Sequence, residues 1–222
     1  MTFLRRLYIK LMGMYESKVF TKVWWSPIFK LIVKTKCNLV LDLGCGSGWA
    51  TLYLKNQVFE CIGLDIDSSR LIEEVRKYFI LADAHNPPFR ANVFDCVIAF
   101  SVLEHLKKPS RALNEVYRVL KLKGIFIATI PTPKLKPKLS GHEDAWFFES
   151  KEWIKLFKSS GFRHVSMPLE LYLDELDNVI KSNKLKKLIK RVPLCIQNPI
   201  KLVYGIYKRY LVRTSSRIIA LK

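Results

Sequence analysis

From Asn38 onward the chain alternates short apolar runs with stretches whose apolar residues recur every three or four positions. That alternation is the mark of βαβ units around a parallel sheet buried on both faces. Leu39–Leu43 reads as a strand that stops at Gly44-Cys45-Gly46-Ser47-Gly48, and Trp49 to Asn56 reads as the helix after it. Val58–Leu64 reads as a second strand running to Asp65. Ser68 is placed to cap a helix reaching about Tyr78, with Leu71, Ile72 and Val75 on one face. A brief strand over Ile80–Ala82 leads to Asp83. Asn86-Pro87-Pro88 enforces a loop, and Phe94–Phe100 is an almost uninterrupted apolar strand expected near the centre of the sheet. Pro109 opens a helix to Leu120 in which Leu113, Val116, Tyr117 and Leu120 form the stripe that packs. Gly124 is expected to close it, and Ile125–Ile130 to be the next strand.

The rest of the pattern is less regular. Pro131–Asp144 reads as a long loop with three prolines and the pair Gly141-His142; a loop of that length at a strand end suits ligand contact. A helix over Ser150–Ser159 ends at Gly161, and a strand follows from Phe162 to about Met167. Beyond Asp174 the pattern turns helical and cationic: Leu185, Leu188, Ile189 and Val192 share a face, with Lys186, Lys187, Lys190 and Arg191 on others. Arg217–Leu221 reads as a last strand. The expected organisation is a basic helical N-terminal extension or lid (1–36), an α/β core (37–170), a basic amphipathic helical insertion (171–215) and the final core strand (216–222).

Charge sharpens that division. The chain carries 38 Lys/Arg against 19 Asp/Glu, yet residues 37–180 hold 18 of each sign. The excess lies in residues 1–36, with eight cations and one acid, and in 181–222, with twelve cations and none. A neutral core with basic ends implies that the ends meet an anionic partner, a membrane surface or a nucleic acid. No stretch reaches the roughly 18–20 apolar residues of a spanning helix, and no signal peptide is read. The five cysteines show no C-x-x-C spacing, so neither a disulfide framework nor a metal site is expected, and the cytoplasm is the expected compartment.

The chemistry concentrates at Leu41-Asp42-Leu43-Gly44-Cys45-Gly46-Ser47-Gly48, between a strand and a helix, where glycines let the backbone turn sharply and approach a ligand. Asp65, 21 residues after Gly44, ends the second strand, where a carboxylate accepts the hydroxyls of a ribose. The spacing Gly-x-Gly-x-Gly differs from the Gly-x-Gly-x-x-Gly that seats a pyrophosphate. A carboxylate at Asp42 would repel a phosphate and favour an ammonium or sulfonium cation. A nucleoside with a positive charge is the ligand these residues imply.

Several blocks in order resemble the class I S-adenosylmethionine-dependent methyltransferases, and more narrowly the type 11 family. They are Val40 to Gly48, Gly63-Leu64-Asp65-Ile66-Asp67, Ala82-Asp83-Ala84 with Pro87-Pro88-Phe89, Phe94 through Ser101-Val102-Leu103-Glu104-His105-Leu106, and Glu115 to Gly124. Leu122-Lys123 departs from the Pro-Gly found in many members. The resemblance implies a three-layer Rossmann-like sandwich with a mostly parallel seven-stranded sheet and an antiparallel last strand. It implies that S-adenosylmethionine is held at its methionine part by Asp42, Gly44, Cys45, Gly46 and Gly48 and at its ribose by Asp65. Ile66 would cover one adenine face, Asp83 with Ala84 would meet the adenine edge, and Phe100 and Ser101 would line the cleft toward the acceptor. If the acceptor is a hydroxyl, His105 or His142 could take its proton, since an imidazole titrates near pH 6.5. Glu104 is read as a structural hydrogen-bond acceptor. Trp24, Trp25, Trp146, Phe147 and Phe148 could roof an apolar acceptor, although aromatics at such positions more often belong to the core.

The expected acceptor is a small-molecule or lipid-like compound, met with 181–213 lying on the inner face of an anionic membrane. The competing readings are an RNA methyltransferase that grips phosphates with its basic ends, a non-catalytic nucleoside-binding module, and, weakest, a nicotinamide-dependent reductase.

Overall fold

A computed structural model describes residues 32–33, 35, 37–57, 59–131, 146, 148–166 and 215–222. Residues 1–31 of the expected N-terminal extension, residues 171–214 of the basic insertion, His142, Trp24, Trp25 and Phe147 lie outside the described residues. The elements in chain order are β1 (Leu39–Leu43), α1 (Trp49–Lys55), β2 (Glu60–Asp65), a 3₁₀ segment (Glu73–Tyr78), β3 (Phe79–Leu81), β4 (Phe94–Phe100), a 3₁₀ turn (Leu103–His105), α2 (Pro109–Val119), β5 (Leu120–Pro131), α3 (Ser150–Ser159), β6 (His164–Ser166) and β7 (Ser215–Leu221).

The strands form one seven-stranded sheet in the order β3-β2-β1-β4-β5-β7-β6. β1 pairs in parallel with β2 and β4, β2 with β3, and β4 with β5, whereas β7 runs antiparallel to both β5 and β6. The order reverses between β2 and β4, with β1 at the switch point, where open α/β sheets bind ligands.

The two-residue period of a strand sorts the core into two layers. Val40, Cys96, Ile98 and Ile127 pack with Leu54 of α1 on one face. Leu41, Leu43, Val97, Ala99, Phe126 and Ala128 pack on the other with Leu113, Val116 and Val119 of α2 and Trp153 and Phe157 of α3. Phe126 stacks on Phe157 at 5.4 Å, and Tyr117 meets Phe162 edge-on at the same separation. Each large apolar side chain removed from water here contributes about 1.5–3 kcal/mol before entropy is charged against it.

Several local expectations need correction. No α-helix begins at Ser68: Ile72 is extended, with ψ 148, because its N–H donates to Ser47 O at 3.1 Å, which delays the turn to Glu73. Residues 73–78 then form a 3₁₀ segment. The α2 helix ends at Val119 rather than being closed by Gly124, and Leu120 already pairs with Phe94. The register between β4 and β5 shifts before Cys96 pairs with Ile125, so Lys121-Leu122-Lys123 bulge outward, Lys123 adopting φ 65. Gly124 fits inside this bulge because a Cβ there would lie 2.8 Å from Lys121 O.

Candidate functional site

A cleft of about 840 Å³ opens beyond the carboxyl ends of β1, β2, β3 and β4. Of the residues expected there, Asp42, Gly44, Cys45, Gly46, Asp65, Ile66, Asp83, Ala84, Phe100, Ser101 and His105 all line it. Gly48 does not. Its φ of 84 starts α1, and a Cβ on it would press against Val75 at 2.9 Å, so it serves the packing of the 3₁₀ segment, not the cleft.

The glycine turn is held from below. Gly44 N and Cys45 N both donate to Leu64 O, at 2.7 and 3.1 Å, binding the turn to β2. Gly44 and Gly46 have φ of 68 and 55, in the left-handed region that a side chain resists. Their surroundings differ sharply. A Cβ on Gly44 would meet Val102 at 2.4 Å, whereas one on Gly46 would meet nothing within 4 Å, leaving bare backbone facing the cleft. Such a surface admits a ligand to van der Waals contact.

Asp65, the last residue of β2, accepts the Gly46 N–H on Oδ2 at 2.8 Å and the Asp67 N–H on Oδ1 at 3.0 Å. The carboxylate therefore ties the tip of the first turn to the second strand. Asp42 shares the β1 face that Val40 uses, so it looks toward α1, and there Thr51 donates its hydroxyl to Oδ2 at 2.7 Å. Asp42 is 2 % exposed. Burial pushes its carboxyl up to about 7, the neighbouring Asp65 charge adds to the rise, and the Thr51 hydrogen bond opposes it. A carboxylate in that state gains from any cation that enters beside it.

Beyond the acids, Ser101 follows β4 with φ 55, held by its N–H to Thr129 Oγ1 at 3.0 Å and Thr129 O at 3.2 Å. A non-glycine residue in that region is strained, and here the strain lies at the mouth of the cleft. Glu104 is buried, which pushes its carboxyl up to about 8, against a hydrogen bond from its own backbone N–H that favours the ionised form, and its Oε2 makes no hydrogen bond among the described residues. Its backbone oxygen does accept, from Trp146 N at 2.7 Å. Trp146 donates its ring N–H to Leu106 O at 2.8 Å and packs on Phe148 at 5.2 Å, with the indole 41 % exposed beside cleft residue Leu106.

The cleft also includes residues that spacing did not reveal: His85, Arg70, Lys107, Lys108 and Arg111. His85 stands two residues after Asp83 and was the most legible of them. The cations around α2 carry no sequence signal that points inward. Among the described residues no cluster of His, Cys, Asp and Glu could hold a metal ion.

The chemistry of this donor set suits a nucleoside with a positive charge: two acids on adjacent strands, an open glycine and an exposed apolar Ile66. A family model described as a methyltransferase domain matches residues 41–128, which hold nearly all of these positions. An uncharacterised protein of Methanocaldococcus jannaschii is 32 % identical over 185 residues, 82 % of this chain and 80 % of that one. The chain belongs to the class I S-adenosylmethionine-dependent methyltransferases. Demethylmenaquinone methyltransferase of Thermotoga maritima is 31 % identical over 138 residues, 59 % of each chain. In three dimensions a SAM-dependent methyltransferase from Archaeoglobus fulgidus superposes with a TM-score of 0.65 at 20 % identity, over 97 % of this chain and 99 % of that one. The protein is thus an S-adenosylmethionine-dependent methyltransferase, and its seven-stranded sheet with an antiparallel β7 is the methyltransferase fold.

Proposed function

We propose that this methyltransferase acts on a small-molecule or lipid-like acceptor and does so at an anionic membrane surface. When bound, S-adenosylmethionine supplies a methyl group on a positively charged sulfur, an activated leaving group. The chain's own residues do the holding. The backbone of Gly44, Cys45 and Gly46 together with Asp42 would receive the methionine part, and Asp65 would accept from the ribose hydroxyls. Ile66 and Ala84 would flank the base, Asp83 would take its amino group, and Phe100 and Ser101 would separate cofactor from acceptor. In-line displacement then needs chiefly alignment, a factor worth up to about 7–11 kcal/mol. A hydroxyl acceptor would also lose a proton, and His105, which lines the cleft, is the residue we assign to take it. His142, the other candidate base, lies outside the described residues.

The observation that carries the acceptor class is the exposed Trp146, which packs on half-buried Phe148 and is tied by its ring N–H to Leu106 O, a residue of the cleft wall. The acceptors named for similar enzymes agree with it, a demethylmenaquinone in Thermotoga maritima and a phytyl hydroquinone in Oryza sativa. The twelve cations of 181–222, with no acid among them, supply the attraction to a negative surface. No helix among the described residues is long and apolar enough to cross a membrane.

Labelled methyl transfer from S-adenosylmethionine into membrane-lipid, small-metabolite and RNA fractions tests the acceptor. Label in the lipid or small-metabolite fraction supports it, and label confined to RNA replaces it with the nucleic-acid reading. Flotation with neutral and anionic vesicles tests the membrane: binding that does not depend on anionic lipid overturns that part.

A further inference from the structure

Asp83 and His85 bind each other twice across one carboxylate oxygen. The His85 N–H donates to Asp83 Oδ1 at 2.8 Å, and the ring Nδ1 lies 2.7 Å from the same oxygen. On the far side of the ring the Lys108 N–H donates to Nε2 at 3.3 Å, and the Arg111 Nε donates to the His85 carbonyl at 3.1 Å.

These contacts settle the tautomer. A backbone amide can only donate, so Nε2 accepts, and the single ring hydrogen of a neutral imidazole sits on Nδ1, directed at Asp83. One imidazole therefore spans the gap between the loop after β3 and the start of α2, both walls of the cleft. Oδ1 of Asp83 receives two donors from His85, while Oδ2 makes no hydrogen bond among the described residues. The His85 N–H, more than any other contact, holds the Asp83 carboxyl below the usual carboxylate range, so the group stands ionised and can only accept.

A carboxylate with one oxygen pinned presents the other in a fixed direction. That oxygen attracts a purine bearing an amino group at position 6 and repels one bearing a carbonyl oxygen there. We propose that His85 is the positioning residue that gives this methyltransferase its preference for an adenine base over a 6-oxopurine, by fixing the orientation of Asp83. The proposal rests on the reading that Asp83 meets the base amino group. It adds the device that makes the contact selective: without the imidazole, Asp83 keeps only the backbone N–H of residue 85 on Oδ1, and its carboxylate can rotate about that one contact toward water or toward the cations at Lys107, Lys108 and Arg111.

Calorimetric titration of the full chain with S-adenosylhomocysteine and with S-inosylhomocysteine, which differ in the group at position 6 and in the hydrogen on the adjoining N1, tests the proposal. The wild-type chain is expected to favour the adenosyl compound by roughly ten- to a hundredfold, the range for a hydrogen bond to a charged group. His85→Ala should bring that ratio to within about threefold of unity. His85→Asn, whose amide N–H can donate where Nδ1 did, should restore most of the preference. A merely structural role would weaken both ligands alike and leave the ratio as it was. An unchanged ratio in His85→Ala, or no recovery in His85→Asn, overturns the role of His85. Equal binding of both compounds by the wild-type chain overturns the Asp83 contact as well, while leaving methyl transfer intact. No binding of either compound removes the cofactor site on which the proposal rests.

Discussion

Thr51 donates its helix hydroxyl to Asp42 Oδ2 at 2.7 Å, a strand carboxylate almost fully removed from water. The bond favours the ionised acid, and burial favours the neutral one. Burial wins, leaving Asp42 with a pKa of about 7 in the unliganded protein.

The affinity for S-adenosylmethionine should therefore rise with pH. A cationic ligand prefers the carboxylate, so binding weakens as pH falls through about 7 and Asp42 takes up a proton. Thr51→Val deletes the hydroxyl donor while keeping the backbone one, raises the Asp42 pKa further and should move the midpoint of this curve to higher pH. Calorimetric affinities from pH 6 to 8.5 for both proteins check the direction, and a flat wild-type curve would remove Asp42 from the cation's surroundings.

The two glycines of the turn should fail in different ways. Gly44→Ala drives a Cβ to within 2.4 Å of Val102, so it should lower the melting temperature. Gly46→Ala meets open space and costs the fold only the strain of a positive φ, about 1–2 kcal/mol, while its methyl group occupies ligand volume. Thermal melts paired with cofactor titrations should show Gly44→Ala mainly in the first and Gly46→Ala mainly in the second.

Asp65→Ala should weaken cofactor binding by about 1–3 kcal/mol through the unpaired ribose hydroxyls. It also leaves the Gly46 N–H without its acceptor, so loosening of the turn should follow. Amide hydrogen exchange should be faster at Gly46 in the variant, and protection equal to wild type would contradict the tie.

Glu104 links pH to stability in a definite direction. Its carboxyl titrates at about 8 in the folded chain against 4.5 when unburied, so the folded state holds the extra proton between those values. Stability contributed by that proton is complete below about pH 4.5 and is lost as pH rises through 8. Glu104→Gln cannot ionise. Its melting temperature, relative to wild type, should climb by several degrees between pH 5 and 9.

Much of the fold was legible because buried parallel strands are short, apolar and bounded by glycine or acid. Asp42 and Asp65 were legible for the same reason: a carboxylate at the last turn of an apolar strand has no structural excuse. Contacts that join segments distant in sequence were not. Ile72 is pulled straight by Ser47, a hydrogen bond between loops that no periodicity records. The bulge at 121–123 arises from a mismatch between β4 and β5, which only pairing reveals. His85 carries no signal of its contacts in the sequence because its partners Lys108 and Arg111 lie more than twenty positions away. Gly48 looked like part of the ligand turn because its left-handed backbone is real, but Val75 is what it makes room for.

Calorimetric titration of S-adenosylmethionine into the wild-type chain and into Gly46→Val tests the central claim most directly. One cofactor per chain, with binding lost in a variant that still melts cooperatively, is the predicted result. Undiminished binding to Gly46→Val would show that the cofactor does not lie against the glycine turn and would contradict the account.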